Sequence, residues 1–182
     1  MKSATLRQMT ELDLGMVRHW RNREDVRKFM YTRHEISVDE HLNWWNTISK
    51  RDDNVQLIFE YKGEPCAAVS FSDLNEKNQS ASWAFYLGDN AKRGIGSLVE
   101  FKALEYAFGK LHLHKLKCEV LEFNQSVIKM HKKYGFKEEG CFIDEHFYDS
   151  DFLNIYRLAI FDIGWHEIKE TIKTKLDRVW KE

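Results

Sequence analysis

The first candidate for chemistry in this sequence is the junction NAKRGIGS, residues 90–97, which separates the stretch SASWAFYL from SLVEFKALEYAF. The first stretch predicts a β-strand and the second a helix, since its apolar residues return at helical spacing. A strand that enters a helix through glycines leaves N–H groups at the helix start free to bind an anion. Gly94 and Gly96 let backbone approach a phosphate without a Cβ in the way, and Lys92 and Arg93 add positive charge. The junction therefore predicts a phosphate cradle, and the alternative is that the two glycines only make a turn.

The junction differs from the two best-known phosphate motifs. It lacks the GK[ST] of a P-loop, and Val99 stands where the dinucleotide fingerprint GxGxxG has its third glycine. The loop on its own therefore names no ligand.

Length and composition indicate one compact domain over residues 1–182. The chain has a single proline, no repeat and no low-complexity tract, so nothing marks a linker. With 28 basic and 29 acidic residues and a net charge of −1, no general attraction to nucleic acid or to an anionic membrane is expected. Cys66, Cys118 and Cys141 are widely spaced, which suits a reducing compartment. The sequence has neither a signal-peptide pattern nor a long apolar run, and no CxxC or HExxH, so a cytoplasmic protein without a metal is expected.

Helix-start signals organise the N-terminal third, after a short predicted strand at residues 4–9. Thr10 offers an N-cap hydroxyl to TELDLGMVRHWRN, in which Leu12, Met16 and Trp20 repeat at helical spacing. Further on, ISVDEHLNWWNTISK carries the Ser and Glu of a capping box at its start. This region of the chain is predicted to be mainly helical.

The rest of the chain alternates between the two periods. NVQLIFEY, PCAAVSFSDL and SASWAFYL predict three strands of an antiparallel arrangement, and the helix after the glycine junction follows. Next come the strand LHKLKCEVLEF, a helix from about 125 to 134, one or two strands that include FLNIYRLAIF, and a terminal helix at roughly 163–180. This order predicts an α/β (α+β) fold, with a mixed sheet and helices on its faces.

A second motif follows about 30 residues after the glycine loop, where a predicted strand ends at Asn124 and the chain continues NQSVIKMHKKYGF. With the loop, this segment resembles the GNAT N-acetyltransferases, whose acetyl-CoA loop Q/R-x-x-G-x-G/A precedes a helix and is followed by a strand, an Asn, a short helix and GF. The element order also agrees, so the resemblance covers nearly the whole chain. It implies a GNAT fold with a mostly antiparallel sheet and acetyl-CoA as the cosubstrate.

The resemblance also implies where acetyl-CoA binds. Backbone N–H groups of residues 93–97 would bind the CoA pyrophosphate, and the Asn would contact the pantetheine arm. The strands before and after the loop helix would splay apart to admit the thioester, and an N–H group on the first strand would stabilise the oxyanion. Ala91 stands where the family has Gln or Arg, a loss for which the two neighbouring cations can compensate. The implied acetyl-CoA-binding residues are Tyr86, Leu87, Lys92, Arg93, Gly94, Ile95, Gly96, Ser97 and Asn124.

Two side chains are candidates for proton transfer. His131 occupies the position, seven residues after the Asn, where many GNAT enzymes have the tyrosine that protonates the leaving thiolate. An imidazole can donate or accept a proton near neutral pH, and the alternative is that His131 only lines the pocket. Glu119 lies on the strand beside the implied reaction centre and can take a proton from the attacking amine. Its alternative role is that of a rim carboxylate paired with a lysine such as Lys117.

Two neighbouring residues are assigned no chemistry. Tyr134 matches the apolar position before GF in the family and is interpreted as a packing residue. Cys118 lies in an apolar strand pattern without a basic partner that the sequence can assign. Direct attack in a ternary complex is therefore expected, without an acyl-enzyme.

The N-terminal segments WRNREDVRKFMYTRHEIS and EHLNWW are expected to hold the acceptor. Arginine can pair a phosphate, and aromatic rings can stack on a planar base. Phe29 and Trp45 are assigned to the core instead, because aromatics at helical spacing usually pack there. The candidate acceptor residues are Arg21, Met30, Tyr31, His41 and Trp44.

A narrower resemblance concerns the acceptor. WRN, FMYT, EHLNWW, HKLKCEVLEFN and VIKMHKKYGF together resemble the GNAT branch that acetylates UDP-4-amino-4,6-dideoxy-N-acetyl-β-L-altrosamine. That reaction leads to pseudaminic acid, which glycosylates bacterial surface proteins such as flagellin. Two alternatives stay open: a GNAT enzyme that acetylates a protein N-terminus or a polyamine, and a non-catalytic acyl-CoA-binding domain. The aromatic content is compatible with a homodimer.

Overall fold

The computed structural model describes residues 3–180, which form one mixed sheet with helices packed against it. The strands are β1 Ala4–Gln8, β2 Val55–Tyr61, β3 Glu64–Asn75, β4 Ser80–Leu87, β5 Lys115–Leu121, β6 Lys137–Tyr148 and β7 Asp151–Phe161. The helices are α1 Leu14–Asn22, α2 Glu24–Arg27, α3 Val38–Ile48, α4 Ile95–Gly109, α5 Gln125–Lys133 and α6 Asp162–Val179, and a 3₁₀ helix, Glu11–Asp13, precedes α1.

The seven strands lie in the order β1-β2-β3-β4-β5-β7-β6, and every neighbouring pair is antiparallel except β4 and β5. The parallel pair is short, since residues 80–82 of β4 pair with residues 115–117 of β5 and the ladder then ends. β4 continues to Leu87 and β5 to Leu121, so the strands run on for several residues past their last pairing. The predicted fold class and the splayed central strands are therefore confirmed.

Helix α4 lies at the centre of the hydrophobic core. Leu98, Phe101 and Leu104 are fully buried, and the Trp165 ring of α6 packs edge-on against Phe101 at a centroid distance of 5.3 Å. A helix that is apolar on all sides is typical of one enclosed by other elements. Against this background Glu100, with no exposed surface, is a charged residue inside an apolar helix.

The buried face of α1 differs from the predicted stripe. Leu12 is 95% exposed, and the side chains that face the core are Leu14, Val17 and Trp20. The prediction was wrong at Leu12 because the first turn is a 3₁₀ helix, which has three residues per turn and so shifts the phase of the stripe.

The start of α3 is capped as predicted on one side only. The Ser37 hydroxyl accepts a hydrogen bond from the Glu40 N–H at 3.1 Å, whereas the Glu40 carboxylate lies 2.8 Å from His34 Nε2. The loop before this helix is fixed to α1, since the Asn22 amide bonds both the N–H and the carbonyl of Ile36.

The C-terminal region consists of a long hairpin and a helix. The prediction of one or two late strands resolves into β6 and β7, whose register shifts between Glu138 and Gly140 and between Phe142 and His146. The terminal helix begins and ends within one residue of its predicted bounds. Across residues 3–180, none of the helices combines the length and the apolarity that crossing a membrane requires.

Candidate active site

The divergence of β4 from β5 opens a cleft of about 520 Å³. Its walls come from the ends of both strands, from the starts of α4 and α5, and from residues 23–30 of the N-terminal segment. Of the residues predicted from the sequence, those that line it are Met30, Tyr86, Leu87, Gly96, Glu119, Asn124 and His131. The cleft thus brings the two motifs and one acceptor candidate together.

The glycine loop has the geometry of a helix N-terminus aimed at the cleft. Gly94 is the N-cap of α4 with φ of +86°, a conformation that other residues rarely adopt. Gly96 lines the cleft, and a Cβ there would lie 3.8 Å from Met130 Sδ and from the Phe85 ring. The Ile95 and Ser97 N–H groups already donate to the carbonyls of Lys92 and Gly94, at 3.0 and 3.1 Å. These two predicted donors are therefore engaged within the loop.

Asn124 starts α5 at the cleft wall. Its side chain is almost buried, and its backbone carbonyl accepts hydrogen bonds from the N–H groups of Val127 and Ile128, at 3.1 and 3.2 Å. The Ser126 hydroxyl donates to Asn124 Oδ1 at 3.2 Å. The backbone turn thus fixes the Asn124 side chain next to the space between the strands.

Tyr134 does more than pack. Its ring is buried as predicted, but its hydroxyl also donates a 2.7 Å hydrogen bond to the carbonyl of Ser97 in the first turn of α4. Burial raises the pKa of Tyr134, so the hydroxyl keeps its proton. The sequence reasoning missed this bond between the end of α5 and the cofactor loop.

His131 is buried at the cleft wall and forms a pair with Glu100 of α4. The His131 Nδ1 and Glu100 Oε1 atoms are 2.7 Å apart, and the two side chains are 5% and 0% exposed. The Trp83 ring packs edge-on against the imidazole, and Phe136 covers another side, with centroid distances of 5.4 and 5.1 Å. Sequence reasoning did not identify Glu100, although a carboxylate within an apolar helix was the available signal.

The pair changes how His131 holds its proton. Burial alone lowers its pKa, but hydrogen bonds to Cys118 and Glu100 and the Glu100 charge outweigh burial and raise the pKa of His131 to about 10. Burial is also the main influence on Glu100, whose pKa is raised. At neutral pH His131 is thus a protonated imidazole at the cleft wall.

Cys118 has the basic neighbour that the sequence could not assign. It lines the cleft from β5, is 5% exposed and hydrogen-bonds to the His131 ring. A histidine next to a thiol can activate it as a nucleophile. An acyl-enzyme at Cys118 is therefore an alternative to direct attack.

Glu119 lies at the open end of the cleft within a hydrogen-bonded group. The Tyr31 hydroxyl donates to Glu119 Oε2 at 3.1 Å, and Arg157 of β7 donates to Oε1 at 3.2 Å. Arg157, rather than Lys117, is therefore the cation paired with this carboxylate. Burial, together with the Glu119 charge, raises the pKa of Tyr31, so its hydroxyl is a donor.

A cluster of aromatic rings borders the cleft beside Phe29, at the side formed by the N-terminal segment, which is called the acceptor end here. Phe29 was assigned to the core, but it lines the cleft and stacks on Phe123 at 5.6 Å, because the loop after α2 crosses the end of β5. Phe123 contacts Tyr148 at 5.3 Å, and Tyr31 contacts His146 at 5.1 Å. The β6–β7 hairpin thus contributes two rings to this cluster, which the sequence motifs did not include.

His41 and Trp44 lie elsewhere on the N-terminal segment. They stack on each other at 5.0 Å, and His41 is buried with a pKa lowered by burial and by Arg18. Neither residue is among those that line the cleft, so their roles stay predictions. Trp45 packs against the small core cluster around Val17, as its assignment to packing predicted.

Several buried side-chain nitrogens of the N-terminal segment and of β6 have no hydrogen-bond partner within residues 3–180. They are Arg21 Nη1, Arg23 Nη1, Arg33 Nε and His146 Nε2. Arg21 donates from its other nitrogen to the carbonyl of Thr32 at 2.7 Å, and Arg33 lies 3.5 Å from the centre of the Tyr148 ring. Burial lowers the pKa of Arg21, but a guanidinium stays charged in proteins.

Residues 4–137 match the model of the acetyltransferase (GNAT) domain family, which is most of the chain. The chain belongs to this family. It is therefore an acetyltransferase with acetyl-CoA as its acetyl donor, and the glycine loop and splayed strands are the features that the family resemblance predicted. The alternative of a non-catalytic binding domain is not supported.

The relatives in this family include an acetyltransferase PseH and spermidine acetyltransferases. The chain is 27% identical over 153 residues to acetyltransferase PseH of Campylobacter jejuni subsp. jejuni serotype O:23/36 (strain 81-176), covering 82% of this chain and 90% of the relative. It is 23% identical over 160 residues to spermidine N(1)-acetyltransferase of Escherichia coli (strain K12), covering 87% and 86%. A solved structure of spermidine N-acetyltransferase from Vibrio cholerae, in complex with CoA and spermine, superimposes with a TM-score of 0.84 at 21% identity. That alignment covers 91% of this chain and 99% of the other, and it shows a shared fold.

Proposed function

We propose that this enzyme transfers the acetyl group of acetyl-CoA to the 4-amino group of UDP-4-amino-4,6-dideoxy-N-acetyl-β-L-altrosamine, by direct attack in a ternary complex. This places it in pseudaminic acid biosynthesis, in the cytoplasm. The similarity to PseH supports this acceptor, and so do the N-terminal sequence segments.

The observation that carries the proposal is the set of unpartnered cationic donors at the acceptor end. Within residues 3–180, Arg21 and Arg23 each have a buried Nη1 atom without an acceptor. A buried donor without an acceptor costs free energy, of the order of 1–3 kcal/mol, which an acceptor on the ligand would recover. The diphosphate of a nucleotide sugar presents such acceptors with negative charge.

The carboxylates of the cleft are, by contrast, already engaged. Asp25 pairs with Arg23 at 3.0 Å through its Oδ1 atom, and Asp89 accepts from the indole N–H of Trp20 at 3.0 Å. Glu119 is held by an arginine and a tyrosine, as described above. The carboxylates that line the cleft thus have N–H or cationic partners, whereas the Nη1 atoms of Arg21 and Arg23 have no acceptor within residues 3–180, and this difference favours an anionic acceptor.

The reaction needs a base for the amine, a donor for the oxyanion and an acid for the thiolate, and residues of the cleft can supply all three. The attacking amine loses a proton to Glu119, directly or through water, and the carbonyl oxygen takes up charge next to the β4 backbone at Tyr86 and Leu87. His131 donates its proton to the departing CoA thiolate. The sum is amine plus thioester giving amide plus thiol, with no net change in protons.

A panel of acceptors tests the proposal directly. The purified enzyme is incubated with acetyl-CoA and, in parallel, with the UDP-4-amino sugar, spermidine and an N-terminal peptide, and products are read by mass spectrometry. One added acetyl group on the sugar nucleotide alone is the expected result. Acetylated spermidine or peptide without sugar product would overturn the acceptor assignment and leave the family intact.

A paired arginine substitution tests the charge argument. Arg21→Met should raise KM for the sugar nucleotide by about 10-fold to 150-fold, the range for hydrogen bonds to charged groups, with unchanged affinity for acetyl-CoA. Arg51→Met is the matched control, because Arg51 is an exposed arginine paired with Asp53 at the start of β2. A spermidine acetyltransferase would show no loss, or a gain, when a cation is removed from its acceptor site.

A further inference from the structure

We propose that Glu100 is a positioning residue for acetyl transfer, which orients the His131 ring through Nδ1 so that Nε2 is the proton donor of the cleft. The inference rests on the proposed role of His131 as the general acid. Glu100 itself is not among the residues that line the cleft, so it acts through the histidine.

The geometry fixes which nitrogen points where. Glu100 Oε1 lies 2.7 Å from His131 Nδ1, and since the raised pKa of His131 keeps the imidazole protonated at neutral pH, Nδ1 donates to the carboxylate. Glu100 is fully buried in α4, while His131 reaches the cleft wall. The edge of the ring that faces away from Glu100 carries Nε2, which is the nitrogen left for Cys118 and, once acetyl-CoA is bound, for the reacting group.

The charges of Glu100 and His131 also depend on each other. Glu100 Oε2 is buried and has no partner within the described residues of the chain, so His131 is the group that compensates the carboxylate. A buried carboxylate is stable only with such compensation. The titratable groups that surround the pair are Cys118 on β5 and Tyr134 at the end of α5, and the remaining ring neighbours, Trp83 and Phe136, do not titrate in this range.

With Glu100 as the partner of Nδ1, His131 can lose and regain its Nε2 proton in each turnover. His131 Nε2–H gives its proton to the CoA thiolate, while Nδ1–H stays bonded to Glu100. The buried anion then stands next to a neutral ring, an unfavourable state that draws a proton back to Nε2 from solvent. Glu119 releases to solvent the proton that it took from the amine, so uptake and release cancel and no further reactant is required.

The isosteric variant Glu100→Gln tests the proposal. It keeps an acceptor of the same shape near Nδ1 and removes the charge, so kcat should fall by at least about tenfold and by no more than the 10²–10⁴-fold that a general acid supplies. A general acid works only while protonated, so activity is lost as pH rises through its pKa. In Glu100→Gln this loss should move from above pH 9 toward about pH 7, near the ordinary value for histidine.

A matched control on the same helix separates the pair from general effects of charge. Glu105 lies on α4 in ion pairs with Lys102 and Lys169, away from His131. Glu105→Gln should leave both kcat and the pH profile unchanged. If Glu100→Gln has the kcat and pH profile of the wild type, Glu100 does not position the acid.

A double substitution distinguishes positioning from structural support. In a His131→Phe background, Glu100→Gln should reduce kcat by no more than about twofold, because the residue through which it acts is gone. An equal reduction in both backgrounds would assign Glu100 a structural role and overturn the proposal.

A measurement on the wild-type protein needs neither a variant nor an acceptor. The ¹⁵N chemical shifts of His131 should show both ring nitrogens protonated at pH 7.5. A neutral ring with an unprotonated Nδ1 would refute the proposal even if the enzyme acetylates the sugar nucleotide. Conversely, a protonated pair in an enzyme that acetylates only spermidine would refute the acceptor and leave the positioning role in place.

Discussion

The two glycines of the cofactor loop should respond to alanine in opposite ways. Gly94 has φ of +86°, where an L-residue is strained by about 1–2 kcal/mol, so Gly94→Ala should destabilise the protein. A Cβ on Gly96 meets its nearest atoms at 3.8 Å, which is ordinary contact, and glycine is a poor helix former. Gly96→Ala should therefore leave the stability unchanged or raise it by up to about 1 kcal/mol.

Gly96→Ala should nevertheless weaken the binding of acetyl-CoA. Its new Cβ would stand between Phe85 and Met130, both of which line the cleft, where the pyrophosphate is expected to approach. Loss of one close backbone contact to a phosphate should weaken acetyl-CoA binding by about tenfold or more, or about 1.4 kcal/mol. The combination of a stable protein with weak cofactor binding is the specific expectation for Gly96→Ala.

Thermal unfolding and calorimetric titration with acetyl-CoA measure both quantities. For a chain of this size, 1 kcal/mol changes Tm by about 2–4 °C, so Gly94→Ala should unfold about 2–8 °C below the wild type. Gly96→Ala should unfold at or above the wild-type temperature. A lower Tm for Gly96→Ala, or wild-type affinity for acetyl-CoA, would refute the cradle geometry.

Three further changes test other contacts. Gly135→Ala should destabilise the protein by about 1–2 kcal/mol in chemical denaturation, since Gly135 has φ of +91° and its Cβ would also displace Ile168 Cδ1, which lies 2.6 Å away at the end of a flexible side chain; unchanged stability would show that the turn relaxes freely. Tyr31→Phe should lower kcat/KM for the acceptor by about 2- to 12-fold through the lost bond to Glu119, without changing the Kd of acetyl-CoA, and an equal change in both constants would argue against a role at the acceptor end. Cys118→Ala should retain activity within about tenfold, and intact mass of the wild type with acetyl-CoA alone should show no added acetyl group; an acetylated protein together with an inactive variant would establish a covalent route.

The fold was predictable wherever one local pattern determined the element. The stretch SASWAFYL has the bounds of β4 itself, and the terminal helix is within one residue at both ends. The two-residue period of a strand and the 3.6-residue period of a helix involve only residues that are close in sequence. They can therefore be recognised without knowing the tertiary structure. Leu12 is the exception, because a 3₁₀ turn changed the phase of its stripe.

The site was predictable only where a motif supplied it. Gly96 and Asn124 line the cleft as the two motifs implied. The contact between Glu100 and His131 joins residues 31 positions apart and exists only because α5 packs against α4. No periodicity encodes such a contact, although a carboxylate in an apolar helix marks a position that needs a partner.

The acceptor end shows the same limit. Phe29 was assigned to the core from its helical spacing, yet it stands in the cleft wall against Phe123. Tyr148 and His146 contact Phe123 and Tyr31 beside the cleft, and they come from a hairpin more than 100 residues after Phe29 and Tyr31 in sequence. Sequence reasoning considered one segment here, whereas the aromatic cluster beside the cleft combines residues of two.

The interruption of the sheet after Ser82 has a consequence for the thermodynamics of association. Beyond this point β4 and β5 are not paired with each other. Two hydrogen bonds instead connect α5 and its C-terminal residue to α4, from Tyr134 to Ser97 and from His131 to Glu100. Both bonds, and the gap between the strands, are present in the protein without a ligand. The entropic cost of forming the gap is therefore part of the free energy of folding and not of binding. A preformed cleft of this kind binds a long, flexible thioester without first having to separate a pair of strands.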